Sequence, residues 1–200
     1  MNEDDYEYKF IALNNKHFNI ESWLRFNFSI VNEYPENLVT SVYYDTRDLT
    51  YLNQVIDGEC EKRKFRARWY SNSIKSQKPN ICFFEIKDKC GNLRSKARVS
   101  AQVSSKELSI ESNLLIQKIN EFRIQNTSSK NYLYPTCTIS YMRKRFIDKK
   151  NNTRVNIDYN IGLREVNRDF STRSFLTKNL NHCVVEIKSK KQIQLDKLET

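Results

Sequence analysis

Glycine and proline are scarce, three of each in 200 residues. That excludes long flexible linkers, a Walker A loop and a G-x-G-x-x-G turn. Any phosphate held by this chain is therefore held by side-chain cations rather than by a glycine-rich backbone cradle. Histidine occurs twice, at His17 and His182. The His182–Cys183 neighbours would alternate across a strand and read as structural, not as a catalytic pair. The five cysteines, Cys60, Cys82, Cys90, Cys137 and Cys183, are odd in number and never spaced C-x-x-C. That argues against a disulfide framework and against a structural zinc site. No apolar run approaches the ~20 residues of a membrane helix. The opening "MNEDDYEYKF" is acidic and lacks the apolar core of a signal peptide. The expectation is a soluble, reduced, cytoplasmic protein, with membrane attachment through a separate subunit left open.

What is present is aromatic and basic. Hydrophobic residues make up 38%, with eleven Tyr and eleven Phe, enough for a core. Lys and Arg number 34 against 24 Asp and Glu, a net +10 that points to an anionic partner. Length and the shortage of linker residues predict a single domain over 1–200. Strands are expected near 5–12, 38–45, 61–70, 81–89, 93–103, 136–148, 153–160 and 182–190. Helices are expected within 19–34, with Asn19 as N-cap, within 104–125, starting at Ser105 or Ser112, and at 171–180. Segments 70–80 and 122–131 read as loops. Many strands with few helices give an antiparallel α+β class.

The strands share one pattern. In "EKRKFRARWY" (61–70), Lys62, Lys64, Arg66 and Arg68 fall on one side, and Phe65, Ala67 and Trp69 on the other. "FFEIKDK" sets Glu85, Lys87 and Lys89 against Phe84 and Ile86. "RSKARVS" sets Arg94, Lys96 and Arg98 against Ala97 and Val99. "VVEIKSK" sets Glu186 and Lys188 against Val185 and Ile187, and "YEYKF" sets Glu7 and Lys9 against three aromatics. A one-sided sheet with a solvated charged face explains the alternation. It explains less well the carboxylates placed two positions before cations in three strands, while the recurrence of E-I-K-x-K at 85–89 and 186–190 has chance as its alternative, Glu, Ile and Lys being common here. The sharper alternative is a closed antiparallel barrel turned inside out: apolar faces outward under flanking helices, charged faces lining the interior. Cations clustered there repel by about 4 kcal/mol per pair at about 4 Å and an effective dielectric of about 20. Interleaved carboxylates and a bound polyanion offset that cost.

The ordered series "YEYKF", "SVYYDTRDL", "KRKFRARWY", "FFEIKDKCGNLRSKAR", "SYMRKRF…TRVNIDYNI" and "VVEIKSK" resembles VTC domains. These form the polyphosphate polymerase branch of the triphosphate tunnel metalloenzymes, and the likeness spans roughly residues 5–190. The resemblance implies a tunnel of antiparallel strands that holds ATP or another triphosphate and inorganic polyphosphate, with Mg²⁺ or Mn²⁺ as cofactor. By position it implies catalytic roles for Lys9, Arg66, Arg68, Lys87, Lys96, Arg143 and Arg154, and a metal-ligating role for Glu186. Lys62, Lys64, Arg98, Arg164 and Lys188 follow as neighbouring substrate-binding residues. Arg154 has as its alternative a structural ion pair with Asp158. Glu7 and Glu85 are expected to orient cations, and Asp45 to be structural. The family pattern continues past its last E-x-K motif into a further helix with an S-K-Y-like motif. Here "SKKQIQLDKLET" follows instead, with Lys190, Lys191 and Lys197 as its basic residues. That departure bears on turnover more than on binding.

The function expected is transfer of the ATP γ-phosphate to a growing polyphosphate chain. The alternatives are an inorganic or nucleoside triphosphatase and a non-catalytic polyphosphate-binding module. A nucleic-acid partner is not expected, because Trp69 faces away from the cations it would have to join in a stacking platform.

Overall fold

The computed structural model describes residues 6–71, 80–91, 93–148, 152–170 and 178–190. In chain order these form β1 (Tyr6–Leu13), α1 (His17–Asn27), β2 (Ser29–Ile30), β3 (Glu36–Asp45), α2 (Thr50–Ile56), β4 (Glu61–Ser71), β5 (Asn80–Cys90), β6 (Leu93–Val103), α3 (Asn113–Asn126), β7 (Tyr134–Asp148), β8 (Thr153–Val166), β9 (Lys178–Asn179) and β10 (His182–Ser189). The class is α+β with antiparallel pairing. The chain forms two compact units, residues 1–38, 141–161 and 179–200 in one, and 39–140 and 162–178 in the other.

In the first unit the strand order is β1–β10–β8–β7, with β2 on β7. Burial along β10 alternates residue by residue, as an amphipathic strand requires. Its apolar face, Val185 and Ile187, joins Val155, Ile157 and Phe146, and α1 covers them with Leu24. In the second unit the order is β7–β3–β4–β5–β6. Phe65, Ala67 and Trp69 of β4 and Phe84 and Ile86 of β5 are buried there with Leu115, Ile119 and Phe122 of α3 and Tyr51 of α2. The apolar faces are thus the helix-covered ones, as the inverted arrangement requires. Among the described residues the order of neighbours is a path that ends at β1 and at β6, so ring closure is not part of the pairing.

Several boundaries differ from expectation, each for a local reason. Helix α1 starts at His17, not Asn19, out of a short 3-10 turn, and its N-cap makes no side-chain bond. It stops at Asn27 because Phe28 is extended and Ile30 pairs with Phe146. Ser112 rather than Ser105 caps α3, its Oγ accepting from Leu115 N–H at 3.3 Å. The expected loop at 122–131 is helical to Asn126, since Phe122 and Arg123 are buried. Helix α2 has no expectation behind it. Asp45 builds it from outside, its carboxylate accepting from Thr46, Tyr51 and Leu52 N–H at 2.7, 2.9 and 2.8 Å. Strand β8 runs on to Val166 through Asn160 at φ 51°. Of the helix expected at 171–180, Lys178 and Asn179 are strand, and 171–177 lie outside the described residues.

Candidate functional site: two cation clusters built around carboxylates

The first cluster lies on the face of β4, β5 and β6 opposite the one that packs against α3. Both registers are unbroken, so residues two apart along each strand share a face. Arg66, Glu85 and Arg98 stand side by side in one row, and Lys64, Lys87 and Lys96 in the next. Glu85 is 2% exposed and gathers three cations, Arg66 at 2.5 Å, Lys96 at 2.5 Å and Arg98 at 3.5 Å. Arg66 also bonds the Tyr43 side chain. The Arg98 guanidinium lies 3.6 Å from the centre of the Phe83 ring, which holds its plane. Arg68, 7% exposed, donates to Ser41 Oγ at 2.9 Å. Neither Arg66 nor Arg68 projects into bulk solvent.

Burial raises the Glu85 pKa, but Arg66 and Lys96 lower it more, and it falls from 4.5 to about 2. Because the folded value lies below the unfolded one, Glu85 stabilises the fold fully above about pH 4.5, and that contribution is lost as pH falls toward 2. The variant Glu85→Gln should lose about 3–5 kcal/mol at neutral pH, since it strands a buried guanidinium. It should also show a shallower fall in stability between pH 4.5 and 2 than the parent chain. Denaturant titrations across that pH range check both; equal acid slopes would show that Glu85 is not the group that titrates.

Lys62 and Lys64 continue the same face. Arg164 is in the same unit but outside these three strands, donating to Ser140 Oγ at 2.6 Å.

The second cluster belongs to the first unit. Glu186 stands opposite Lys9 on β1 and Asn156 on β8, and Lys188 opposite Glu7 and Arg154. Lys188 Nζ is 3.0 Å from Glu186 and 3.9 Å from Glu7, and Lys9 pairs with Glu7 at 2.7 Å. Arg143 grips Asp158 through two bonds of 2.6 Å and reaches Glu186 at 3.9 Å. Asp158 is thus held by Arg143, a partner assignment that the spacing within β8 does not reveal. Burial raises the Glu186 pKa, Lys188 and Arg143 lower it further, and the net shift is downward, so the carboxylate is held ionised. Burial opposes the charge on Arg143, but Asp158 outweighs it and the guanidinium stays protonated.

Among the described residues, no three His, Cys, Asp or Glu side chains converge as a ready-made metal cage. Glu186 and Glu7 nonetheless share one cation, the Lys188 ammonium. Two carboxylate side chains would suit a small hard divalent ion. They do not fit zinc, which favours nitrogen and sulfur.

The sequence-expected residues therefore fall into two groups: Lys62, Lys64, Arg66, Arg68, Lys87, Lys96, Arg98 and Arg164 in one unit, and Lys9, Arg143, Arg154, Glu186 and Lys188 in the other. Ser41, Ser140 and Tyr43 hold guanidinium groups in place and were not anticipated. Small polar residues in strands carry no signal of their own, and only the registry reveals them.

No helix among the described residues is long and apolar enough to cross a membrane. No curated protein matches the chain. The fold is similar to that of a candidate adenylate cyclase of Bacillus halodurans, at 15% identity and TM-score 0.56 over 94% of this chain and 82% of that one. It is also similar to a candidate adenylyl cyclase of Hippeastrum described as having a dominant triphosphatase activity, at 11% identity and TM-score 0.53 over 98% and 83%. A third similar structure, a candidate adenylate cyclase of Vibrio parahaemolyticus, has 9% identity and TM-score 0.51 over 91% and 75%. At these identities the likeness concerns the fold alone. The family model describing the VTC domain matches residues 5–199. The chain, with its carboxylate-centred cation rows in that order along it, belongs to the VTC domain family.

Proposed function

We propose that this chain is a metal-dependent phosphotransferase that moves the γ-phosphate of ATP onto inorganic polyphosphate, within a closed tunnel of the kind its family implies. The observation that supports this best is the Arg66–Glu85–Arg98 row. Two guanidinium forks and Lys96 converge on a single buried carboxylate, on the sheet face opposite the one that α3 packs against. Arginine forks suit bidentate contact with phosphate oxygens, and lysines add mobile point charge. Glu85 keeps the forks aimed and offsets their mutual repulsion before a ligand arrives.

Phosphoryl transfer needs positioning and charge neutralisation more than covalent help. A terminal oxygen of the polyphosphate chain attacks the γ-phosphorus. The bond from that phosphorus to the bridging oxygen breaks, ADP leaves with it, and the chain is one unit longer. No protein nucleophile is required. Arg66, Arg68, Lys87 and Lys96 would bind the phosphates and spread their charge. Arg143, fixed by Asp158, and Lys9 and Lys188 would orient phosphate beside Glu186. Glu186, with Glu7, would hold Mg²⁺ or Mn²⁺, which as a Lewis acid neutralises developing charge on phosphate oxygens. Arg154 would act with the catalytic set, and Arg164 would contact substrate.

Hydrolysis is the second reading, favoured by the triphosphatase activity described for the Hippeastrum protein. Water would then replace the chain terminus, with almost the same residues at work. Incubation with ATP and Mn²⁺, with product sizing, separates the two. The proposal predicts long polyphosphate and ADP; phosphate with no chain growth assigns hydrolysis instead, and no turnover with retained binding assigns a polyphosphate-binding module.

A further inference from the structure

Burial sorts the five cysteines of the chain. Cys82 and Cys183 are buried and Cys137 is half-buried, whereas Cys60 and Cys90 are exposed. Burial pushes the Cys82 thiol up to about 12 and raises Cys137 and Cys183 as well, so these three hold their protons and are poor nucleophiles. The two exposed thiols are the two that adjoin.

Cys60 immediately precedes β4, and Cys90 ends β5. Glu61 stands opposite Cys90, so Cys60 is one step diagonal to it. With strands about 5 Å apart and a rise of about 3.4 Å per residue, the two Cα atoms lie about 6 Å apart, a separation that a disulfide spans. In an unbroken ladder such neighbours would point to opposite faces. Here the ladder ends. Cys60 lies in a bend, and Gly91, next to Cys90, has φ 58°. Gly91 N–H donates to the Cys60 carbonyl at 3.3 Å, and a Cβ at position 91 would sit 3.9 Å from Cys60 Sγ. The Cys60 sulfur is therefore beside the glycine, within hydrogen-bond reach of the Cys90 thiol. Core packing does not account for this pair, since neither cysteine joins the buried cluster to which β4 and β5 contribute.

We propose that Cys60 and Cys90 form a reversible, redox-sensitive disulfide that ties the α2–β4 turn to the β5–β6 turn. The oxidant is a small-molecule disulfide. The Cys60 thiolate attacks one of its sulfurs, a protein–small-molecule S–S bond forms, and one small thiol leaves. Cys90 then gives up its proton, and its sulfur attacks Cys60 Sγ and expels the second small thiol. Two protein thiols are oxidised, one small disulfide is reduced, and the two protons end on the two thiols released. Cys60 attacks first because Cys90 holds its proton, its pKa raised by the Cys60 sulfur beside it and by Glu61 opposite. The bond closes residues 60–90 into a ring that contains Arg66, Arg68 and Glu85. The thiol state of the surroundings then sets how firmly β4 and β5 are held together.

The test is incubation of the reduced chain with oxidised glutathione, alkylation of the remaining thiols, and peptide mapping by mass spectrometry without reduction. A Cys60–Cys90 cross-link should form within single chains. The melting temperature should rise by about 5–15 °C and return on addition of dithiothreitol. Cys90→Ser should stop at a glutathione adduct on Cys60, with no melting shift that dithiothreitol reverses. Cys60→Ser should leave Cys90 little modified. Both positions are exposed, and the parent-chain result stands without either variant. No link in the parent chain, links between chains only, or a link through Cys82, Cys137 or Cys183 would overturn the pair. A cross-linked chain with an unchanged melting temperature would overturn its role as a clamp.

Discussion

Replacing Arg66 and Arg68 together by alanine is expected to lower tripolyphosphate affinity by about a hundredfold to ten-thousandfold. Each charge-assisted contact to phosphate contributes about 1.5–3 kcal/mol, and two are lost. The fold should survive. Phe65, Ala67 and Trp69, which hold β4 in the core, point to the other face and are untouched. Glu85 keeps Lys96 and Arg98 beside it, so no buried carboxylate is stranded. Calorimetric titration with tripolyphosphate, alongside circular dichroism and a melting curve, separates binding loss from unfolding. A folded double variant with parental affinity would remove these arginines from the site.

Glu186→Gln is expected to reduce metal-dependent turnover by at least a hundredfold, about 3 kcal/mol of transition-state stabilisation. The amide keeps the shape and removes the charge. Lys188 and Arg143 then face one carboxylate fewer, so tripolyphosphate affinity measured without metal should stay equal or tighten. Turnover and metal-free affinity together make the result specific. A purely structural role for Glu186 would lower both along with the melting temperature, and undiminished turnover would end its assignment as a metal ligand.

Alternation made the sheet faces legible from sequence. Phe65, Ala67 and Trp69 against Lys64, Arg66 and Arg68 is a period-two pattern that no bulge interrupts, and the structure keeps it over the whole β4–β5 ladder. Ser112 was legible as one of two candidate starts, with Ser105, because its side chain acts within its own helix. Helix α2 was not, because its donors are satisfied by Asp45 from outside the helix, and Leu49, at its start, is in the left-handed region. The end of α1 was hidden because apolar Phe28 and Ile30 continue the helical composition while pairing of Ser29 and Ile30 with β7 draws the chain out of the helix.

The same distinction runs through the site. Which residues are cations on a common face follows from spacing. Which carboxylate each cation meets follows from register between strands, and register is a tertiary property. Glu85 was expected to orient cations, and it gathers three of them. Asp158, by contrast, had Arg154 as its candidate partner within one strand, whereas its bidentate partner is Arg143 on β7. Membership of the family was carried by the order of several short motifs, none of them specific alone.

Lysine acylation followed by mass spectrometry, with and without tripolyphosphate, tests the central claim most directly. If the cationic face of β4–β6 holds phosphates, Lys64, Lys87 and Lys96 react more slowly when the ligand is present. Lys106, before α3, and Lys118, on α3, should keep their rates. Unchanged rates at the strand lysines, or protection confined to Lys106 and Lys118, would contradict it.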